Sequence, residues 1–143
     1  MRIVLASDHA AVDLRLRIMG HLAHLGHAVD DLGPEDGERV DYPDYAAALC
    51  GAIVSGEADC GVLLCGTGIG MSIAANKFAG IRAALVHDVT TARLAAEHNN
   101  ANVLVLGARV LGPITALECV DAWLQQAFDP RHQARLDKIT ALE

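Results

Sequence analysis

The segment CGVLLCGTGIG, residues Cys60–Gly70, is the most informative part of the sequence. It begins with a continuous apolar run that ends at Cys65, which is typical of a strand buried on both faces. A glycine-rich turn then leads into Ser72–Lys77, whose pattern predicts a helix. A thiol is therefore expected at the carboxyl end of a buried strand, beside a turn where backbone N–H groups can converge. This environment suits an oxyanion and can favour a thiolate, so it indicates acid–base or covalent chemistry on a small anionic substrate.

Strands and helices alternate along the rest of the chain. Apolar runs predict strands over 2–6, 27–32, 60–65, 81–86 and 103–106, and helical spacing predicts helices over 9–25, 42–55, 68–78, 89–98, 113–128 and 131–142. A polar loop is predicted over 34–41. This alternation indicates the α/β class, a doubly wound, Rossmann-like three-layer α/β/α sandwich with a five-stranded parallel sheet. Residues 1–143 are expected to form one domain, because the chain is short and shows no linker or repeat.

Composition argues against several classes of protein. The net charge of -7 disfavours a nucleic-acid or anionic-membrane surface, so local arginine and histidine would have to hold any bound anion. No apolar run is long enough to cross a bilayer, and the amino terminus does not resemble a signal peptide, so a cytoplasmic location is expected. Cys50, Cys60 and Cys119 fit small buried hydrophobes, and the cysteines form no C-x-x-C pair. The histidines show no metal-ligand spacing, so no metal site is predicted.

Polar residues follow four of the predicted strands. Asp8-His9 follows the first strand, Cys65 ends the third, His87-Asp88 follows the fourth, and Arg109 lies just beyond the fifth. Ligands of doubly wound sheets bind outside the carboxyl ends of the strands. The sequence therefore predicts a site at that edge of the sheet.

Each candidate also has a plainer explanation. Asp8 can cap the first helix, and His98 can lie at a helix end where the dipole favours its charge. Arg131 and Arg135, one helical turn apart, can grip a phosphate or form a solvated helix face. The glycine turn is not a dinucleotide fingerprint, because Met71 stands where a third glycine or alanine is needed. Because each catalytic candidate has a plainer explanation, the residues alone leave a second function open, that of a non-catalytic phosphate- or nucleotide-binding module.

Motifs in order along the chain closely resemble those of the ribose-5-phosphate isomerase B family, which also contains allose- and galactose-6-phosphate isomerases. They are Ser7–His9, Val40–Ala46, Cys65–Gly70, Ser72–Phe78, Ile81–Ala83, Glu97–Asn99, Asn102–Leu104, Gly107–Val110 and Arg131–His132. The block from CGTGIG to NKFAGIR is highly specific, and the similarity spans nearly the whole chain. The resemblance implies an enzyme that interconverts an aldose phosphate and a ketose phosphate without metal or cofactor. Ribose 5-phosphate and ribulose 5-phosphate are the leading pair, which would place it in the pentose phosphate pathway.

The resemblance implies that Cys65 is the base that moves a proton between C1 and C2 of the sugar. The hole for the enediolate oxygen would be formed by the turn residues Gly66, Thr67, Gly68 and Gly70. A proton beside a carbonyl is weakly acidic, so the reaction needs a base against carbon and fixed dipoles aimed at oxygen. Some relatives use a glutamate further along the loop. This chain has Met71-Ser72 there, which favours the thiolate.

The remaining roles are also implied by the resemblance. Asp8 and His98 would assist opening of the sugar ring, and Tyr42 and Asn99 would contact the sugar hydroxyls. The phosphate would be bound by His9, Arg109, Arg131 and Arg135. In the family the site lies between two subunits. A homodimer or a dimer of dimers is therefore implied, with a tail helix over about 131–142 packing on the partner subunit. The same chemistry on a hexose 6-phosphate (allose or galactose) or on a tetrose phosphate is the alternative.

Overall fold

Five parallel strands form the centre of the part of the chain that the computed structural model describes, residues 1–35 and 39–143. They are β1 (Arg2–Ser7), β2 (Ala28–Asp31), β3 (Cys60–Cys65), β4 (Ala83–Leu85) and β5 (Val103–Gly107). Their order across the sheet is β2-β1-β3-β5-β4, and each neighbouring pair is parallel. The predicted five-stranded parallel sheet is confirmed. Of the predicted loop over 34–41, residues 36–38 lie outside the described residues.

Helices cover both faces of this sheet. They are α1 (Val12–His24), α2 (Tyr42–Val54), α3 (Ile69–Ala75), α4 (Val89–Asn99), α5 (Pro113–Gln125) and α6 (Gln133–Thr140), with a 3-10 turn at Pro130–His132. Residues of β1 alternate between two apolar cores, because successive side chains of a strand point to opposite faces. Ile3 and Leu5 pack with α1, α4 and α5, whereas Val4 and Ala6 pack with α2 and α3. The doubly wound three-layer sandwich is therefore confirmed.

The first helix begins later than predicted. α1 starts at Val12 rather than His9, and its N-cap, Ala11, makes no side-chain capping bond. Asp8 instead forms a turn that precedes the helix, since its Oδ1 accepts a hydrogen bond from the Ala10 amide at 2.9 Å. Its carbonyl oxygen accepts from the Ala11 amide at 3.2 Å. Capping of α1 by Asp8 is therefore wrong, because the turn keeps the carboxylate beside the end of β1.

Other helix ends also differ from the prediction. α3 ends at Ala75 rather than at residue 78, and α5 ends at Gln125 because Gln126 is extended, with φ -88° and ψ 124°. The tail begins with the 3-10 turn, so its α-helix starts at Gln133 instead of residue 131. Proline at the first position of that turn and the Asp129 carboxylate that accepts from the Arg131 amide account for the tighter start. Across the described residues, no helix has the length and apolar character that crossing a membrane requires.

The two edges of the sheet carry different parts of the chain. At the carboxyl edge, where the strands end, Ser7 lies opposite Leu64 and Cys65 lies opposite Gly107. At the amino edge, where they begin, the Gly61 amide donates to the Asn102 carbonyl at 3.0 Å. α4 starts after β4 ends and finishes before β5 begins, so its last turn lies at the amino edge. Four residue steps along β5, about 13 Å, separate the two edges.

Candidate active site

Cys65 ends β3 with its sulfur directed at the glycine turn. The Gly68 amide donates a hydrogen bond to Cys65 Sγ at 3.0 Å. The residue is 5% exposed and belongs to the core between the sheet and α2–α3, so the chain alone leaves little of it accessible. An amide N–H donor of this kind stabilises a thiolate. Burial raises the pKa of each of the other three cysteines to about 11 and keeps them as thiols; they are Cys50, Cys60 and Cys119.

The conformation of Gly68 produces this contact. Its φ is +80°, and a Cβ there would lie 2.4 Å from Leu85 Cδ1 and 3.2 Å from the Leu106 carbonyl carbon. Only glycine fits both the left-handed backbone and the close approach.

The turn also leaves donors unused, because the amides of Gly66, Thr67 and Gly70 have no acceptor among residues 1–35 and 39–143.

Thr67 and Arg109 complete the two sides of the turn. Thr67 is exposed, and its Oγ1 accepts from the Ile69 amide at 3.3 Å, which leaves the hydroxyl proton free to donate. The Arg109 amide donates to the Gly66 carbonyl at 2.9 Å. The Arg109 side chain lies over Gly66, because a Cβ on that glycine would be 3.4 Å from Arg109 Nη1. A guanidinium therefore stands over the turn that follows Cys65.

Tyr42 closes the turn from the other side. It begins α2, and a Cβ on Gly70 would lie 2.6 Å from Tyr42 Cζ and 2.9 Å from its hydroxyl oxygen. The phenol ring therefore rests directly on the Gly70 backbone. Any larger residue at position 70 would displace the ring.

Asp8 and His9 stand beside the turn on the neighbouring strand. The Asp8 amide donates to the Leu64 carbonyl at 3.1 Å, and the residue is 8% exposed. His9 is exposed, and its Nδ1 accepts from the Val40 amide at 3.4 Å. The structure thus gathers most of the predicted site at the carboxyl edge. This carboxyl-edge group is Asp8, His9, Tyr42, Cys65, Gly66, Thr67, Gly68, Gly70 and Arg109.

The other predicted residues lie at the amino edge of the same chain. This amino-edge group is His98, Asn99, Arg131 and Arg135. His98 is in the last turn of α4, and the Asp129 amide donates to the Glu97 carbonyl at 2.8 Å, which brings the tail onto that helix. Asn99 lines a cleft of about 300 Å³ together with Asn76 and Arg82. Within one chain the structure does not bring Asp8 and His98 together. The predicted order of elements already indicated this separation, because the helix that carries His98 ends where the next parallel strand begins, and Asp8 lies where its strand ends.

Sequence reasoning assigned no role to the buried side chains of His132 and Arg15. His132 is 8% exposed, and its ring centroid lies 4.3 Å from that of His98. Burial, and then the neighbouring His98, Arg131 and Arg135, lower the pKa of His132. Its position inside the Arg131–Arg135 motif was the available signal.

Arg15 is the second buried residue that was missed. It is 2% exposed and donates to Ser7 Oγ and to the Pro34 carbonyl, both at 2.7 Å. Its Nε lies 2.8 Å from the Asp31 carboxylate. These contacts hold the end of β1, which carries Asp8, to the ends of β2 and the following loop. An arginine among the apolar positions of a predicted helix was the only signal in the sequence.

With this geometry in view, known proteins provide a direct comparison. The model of the ribose/galactose isomerase family matches residues 3–139. The chain belongs to that family. It is 46% identical to ribose-5-phosphate isomerase B of Escherichia coli, over 99% of this chain and 96% of the relative. It is 47% identical to D-erythrulose-4-phosphate isomerase of Pectobacterium atrosepticum, over 90% of this chain and 86% of the relative.

Solved structures agree with the family assignment. Ribose-5-phosphate isomerase B of Clostridium thermocellum superposes with a TM-score of 0.97 at 45% identity, covering 99% of this chain and 97% of that one. The resemblance found in the sequence is confirmed, and the chain is a sugar-phosphate isomerase. This assignment favours an enzyme over the non-catalytic binding module that the residues alone left open.

Proposed function

We propose that this enzyme interconverts ribose 5-phosphate and ribulose 5-phosphate, with Cys65 as the base. The observation that carries the proposal is the 3.0 Å hydrogen bond from the Gly68 amide to Cys65 Sγ. It aims the sulfur at the turn that also holds unused amide donors, so base and oxyanion donors share one place. The Escherichia coli relative, which is named for ribose 5-phosphate, supports this choice of substrate.

The proposed reaction moves one proton between two carbons. The Cys65 thiolate takes the C2 proton of the open-chain aldose, and the C–H electrons form an enediolate with negative charge on O1. The resulting thiol returns the proton to C1, while the O2 hydroxyl proton passes to O1. C1 is reduced and C2 is oxidised, so no external electron acceptor is needed. Asp8 and His98 would serve ring opening, because histidine titrates in the range where it can both donate and accept protons.

The turn would stabilise the developing charge. Gly68 was predicted as part of the hole for the enediolate oxygen, but its amide donates to the sulfur, so we assign that oxygen to Gly66, Gly70 and Thr67. Donors fixed in this way contribute roughly 3–4 kcal/mol each in comparable sites. The Thr67 hydroxyl, which is exposed beside them, can add a further donor.

We also propose that the working unit is a homodimer or a dimer of dimers with shared sites. The separation of the two groups by the length of β5 supports this, because one chain cannot place Asp8 and His98 on the same sugar. A second copy can supply the amino-edge group to the carboxyl-edge group of the first. In that arrangement Tyr42 and Asn99 would meet the hydroxyls, and the tail over about 131–142 would contact the partner. Pathway and cytoplasmic location stay predictions from the sequence.

The phosphate would be held by cations from both edges. His9 and Arg109 come from the carboxyl-edge group, and Arg131 and Arg135 come from the amino-edge group. Arginine forks suit phosphate oxygens, and they offset the overall charge of -7 locally. Binding of a charged phosphate by a chain that is otherwise acidic is thereby explained.

The substrate assignment is tested by comparing kcat/KM for ribose 5-phosphate, allose 6-phosphate, galactose 6-phosphate and erythrulose 4-phosphate. We expect the highest value for ribose 5-phosphate. A higher value for erythrulose 4-phosphate would favour the second candidate, which the Pectobacterium relative supports by its name and by 47% identity.

The proposed base is tested with Cys65→Ala, using Cys50→Ala as the matched control. Cys50 is also a buried cysteine of the same core, but its sulfur donates to the Ala75 carbonyl at 3.9 Å instead of accepting from a turn amide. We expect Cys65→Ala to lower kcat by at least about 100-fold, and Cys50→Ala to keep kcat near that of the unmodified enzyme. Full turnover by Cys65→Ala would rule out the thiolate as base.

A further inference from the structure

His132 is buried among residues expected to bind substrate. Arg131 Nε donates to its Nε2 at 3.2 Å, and Arg135 Nη1 lies 3.4 Å from its Nδ1. The His98 ring lies 4.3 Å away, tilted by 42°. His132 thus touches three of the four members of the amino-edge group.

The donors around the ring limit its protonation. Both arginines can only donate, whereas a neutral imidazole offers one accepting nitrogen and an imidazolium offers none. The shorter contact identifies Nε2 as the acceptor, which places the proton on Nδ1. A neutral ring is therefore required for the contact with Arg131.

The charges that face the ring agree with this state. His98 faces it from α4, Arg131 and Asp129 from the 3-10 turn, and Arg135 from α6. The Asp129 carboxylate lies 2.8 Å from Arg131 Nε, so it is engaged with that guanidinium. Burial and the surrounding cations lower the pKa of His132, which favours the neutral ring.

We propose that His132 is a positioning residue that holds the Arg131 guanidinium, through Nε2, beside Arg135 so that both arginines reach one phosphate. This inference rests on the proposed function, because it assumes that these arginines bind the phosphate. Arginine side chains lose much rotamer freedom when they grip an anion. An acceptor that holds the guanidinium before the anion arrives removes part of that cost.

Three substitutions test the position of the acceptor. In His132→Gln the amide oxygen can replace Nε2, in His132→Asn it can replace only Nδ1, and His132→Leu has no acceptor. His24→Leu, at an exposed position in the last turn of α1, is the matched control. The probe is inorganic sulfate at pH 7, whose Kd follows from the rise of Tm with its concentration and needs no turnover.

We expect His132→Leu and His132→Asn to raise the sulfate Kd and the KM for ribose 5-phosphate about tenfold, the loss of one charge-assisted hydrogen bond, with kcat changed less than about twofold. We expect His132→Gln and His24→Leu to keep both values within about twofold of the unmodified enzyme. If His132→Leu does not fold, the contrast between Gln and Asn decides. Equal sulfate Kd values for Gln and Asn would overturn the inference.

Arg131→Ala separates this inference from the proposed function. A raised sulfate Kd in Arg131→Ala shows that the arginine grips the anion, whatever sugar the enzyme uses. If Arg131→Ala leaves the sulfate Kd unchanged, the phosphate role fails and the inference fails with it. If Arg131→Ala raises the sulfate Kd but the His132 variants leave it unchanged, Arg131 binds the anion and His132 has no positioning role.

Discussion

The carboxyl-edge and amino-edge groups differ in what holds them in place. At the carboxyl edge most contacts involve the backbone, namely the Gly68 turn, the ladder between β1 and β3, and the Gly70 backbone on which the Tyr42 ring rests. At the amino edge, side chains hold side chains, with His132 at the centre. The proposed base and oxyanion donors are therefore built into the end of the sheet. The proposed phosphate grip depends instead on the packing of a short tail.

The largest effect is expected from two variants, one that disables the carboxyl-edge group and one that disables the amino-edge group. Cys65→Ala and His98→Asn should each lower kcat by at least about 100-fold. Mixed dimers of the two should recover about a quarter of the original activity, because about half of the dimers are hybrids and each hybrid has one intact shared site. The measurement is kcat after co-expression of the two chains.

The control for this mixing experiment pairs two variants of the same edge. Cys65→Ala mixed with Asp8→Asn should recover no activity, since both residues belong to the carboxyl-edge group of one chain. If mixing Cys65→Ala with His98→Asn also recovers no activity, the carboxyl-edge and amino-edge groups do not form a shared site.

The second-largest effect is expected at Gly68, where the backbone conformation shapes the turn after Cys65. Gly68→Ala should lower the free energy of unfolding by about 2–5 kcal/mol, from the left-handed backbone and the clash with Leu85. Gly56→Ala is matched, because Gly56 has φ +78° but open space around it, and should cost only about 1–2 kcal/mol. Urea unfolding measures both. Equal losses would show that the close approach contributes nothing.

Ion pairs at the two edges provide a third comparison. Arg15 is buried at the carboxyl edge, whereas Arg2 pairs with Asp59 at the amino edge with side chains 52% and 42% exposed. Arg15→Met should cost about 2–3 kcal/mol, because it leaves buried acceptors unpaired. Arg2→Met should shift the urea midpoint far less, because solvent screens its exposed pair with Asp59. Similar urea midpoints for the two variants would contradict this difference.

A smaller effect is expected where Tyr42 rests on the turn. Gly70→Ala should raise KM for ribose 5-phosphate about tenfold by displacing the ring. Gly51→Ala, inside α2 with open space around it, should instead stabilise the fold by about 0.5–1 kcal/mol. Steady-state kinetics measure the KM of both variants, and urea unfolding measures the stability of Gly51→Ala. An unchanged KM in Gly70→Ala would show that Tyr42 does not depend on this contact.

The smallest effect concerns pH at the amino edge. The folded state lowers the pKa of His132, so the unfolded chain takes up the proton first as the solution becomes acidic. The stability that this residue contributes is therefore present above about pH 6.5 and is lost as pH falls through the folded pKa. We expect His132→Gln to flatten this part of the urea-midpoint profile between pH 7.5 and 5. An identical slope in both proteins would contradict the prediction.

The sequence predicted the sheet better than the helix ends. The apolar runs of β3 and β5 are local patterns that only a doubly buried strand satisfies, so their limits were found within one residue. The start of α1 was missed because Asp8 competes for nearby amides and forms a turn first. The tail was predicted as one helix because periodicity cannot show that Pro130 tightens its first turn.

The candidate site was predictable by residue type but not by arrangement. Cys65 followed by glycines is a local signal, and it correctly indicated a sulfur beside converging amides. The signals for Arg15 and His132 were weak, since a lone arginine or histidine on a helical pattern is usually solvated. Their contacts join residues such as Ser7 and Pro34, or His98 and Arg131, that the chain brings together only on folding.

By itself the sequence determined the five parallel strands, the glycine turn after Cys65 and the family, because these depend on short-range patterns and ordered motifs. The tertiary structure alone decided which donor meets the sulfur, how Tyr42 covers the turn, and that His132 lies between two arginines. It also placed Cys65 and His98 at opposite edges. The physical reason is that such contacts depend on packing between elements, which local residue preferences do not encode.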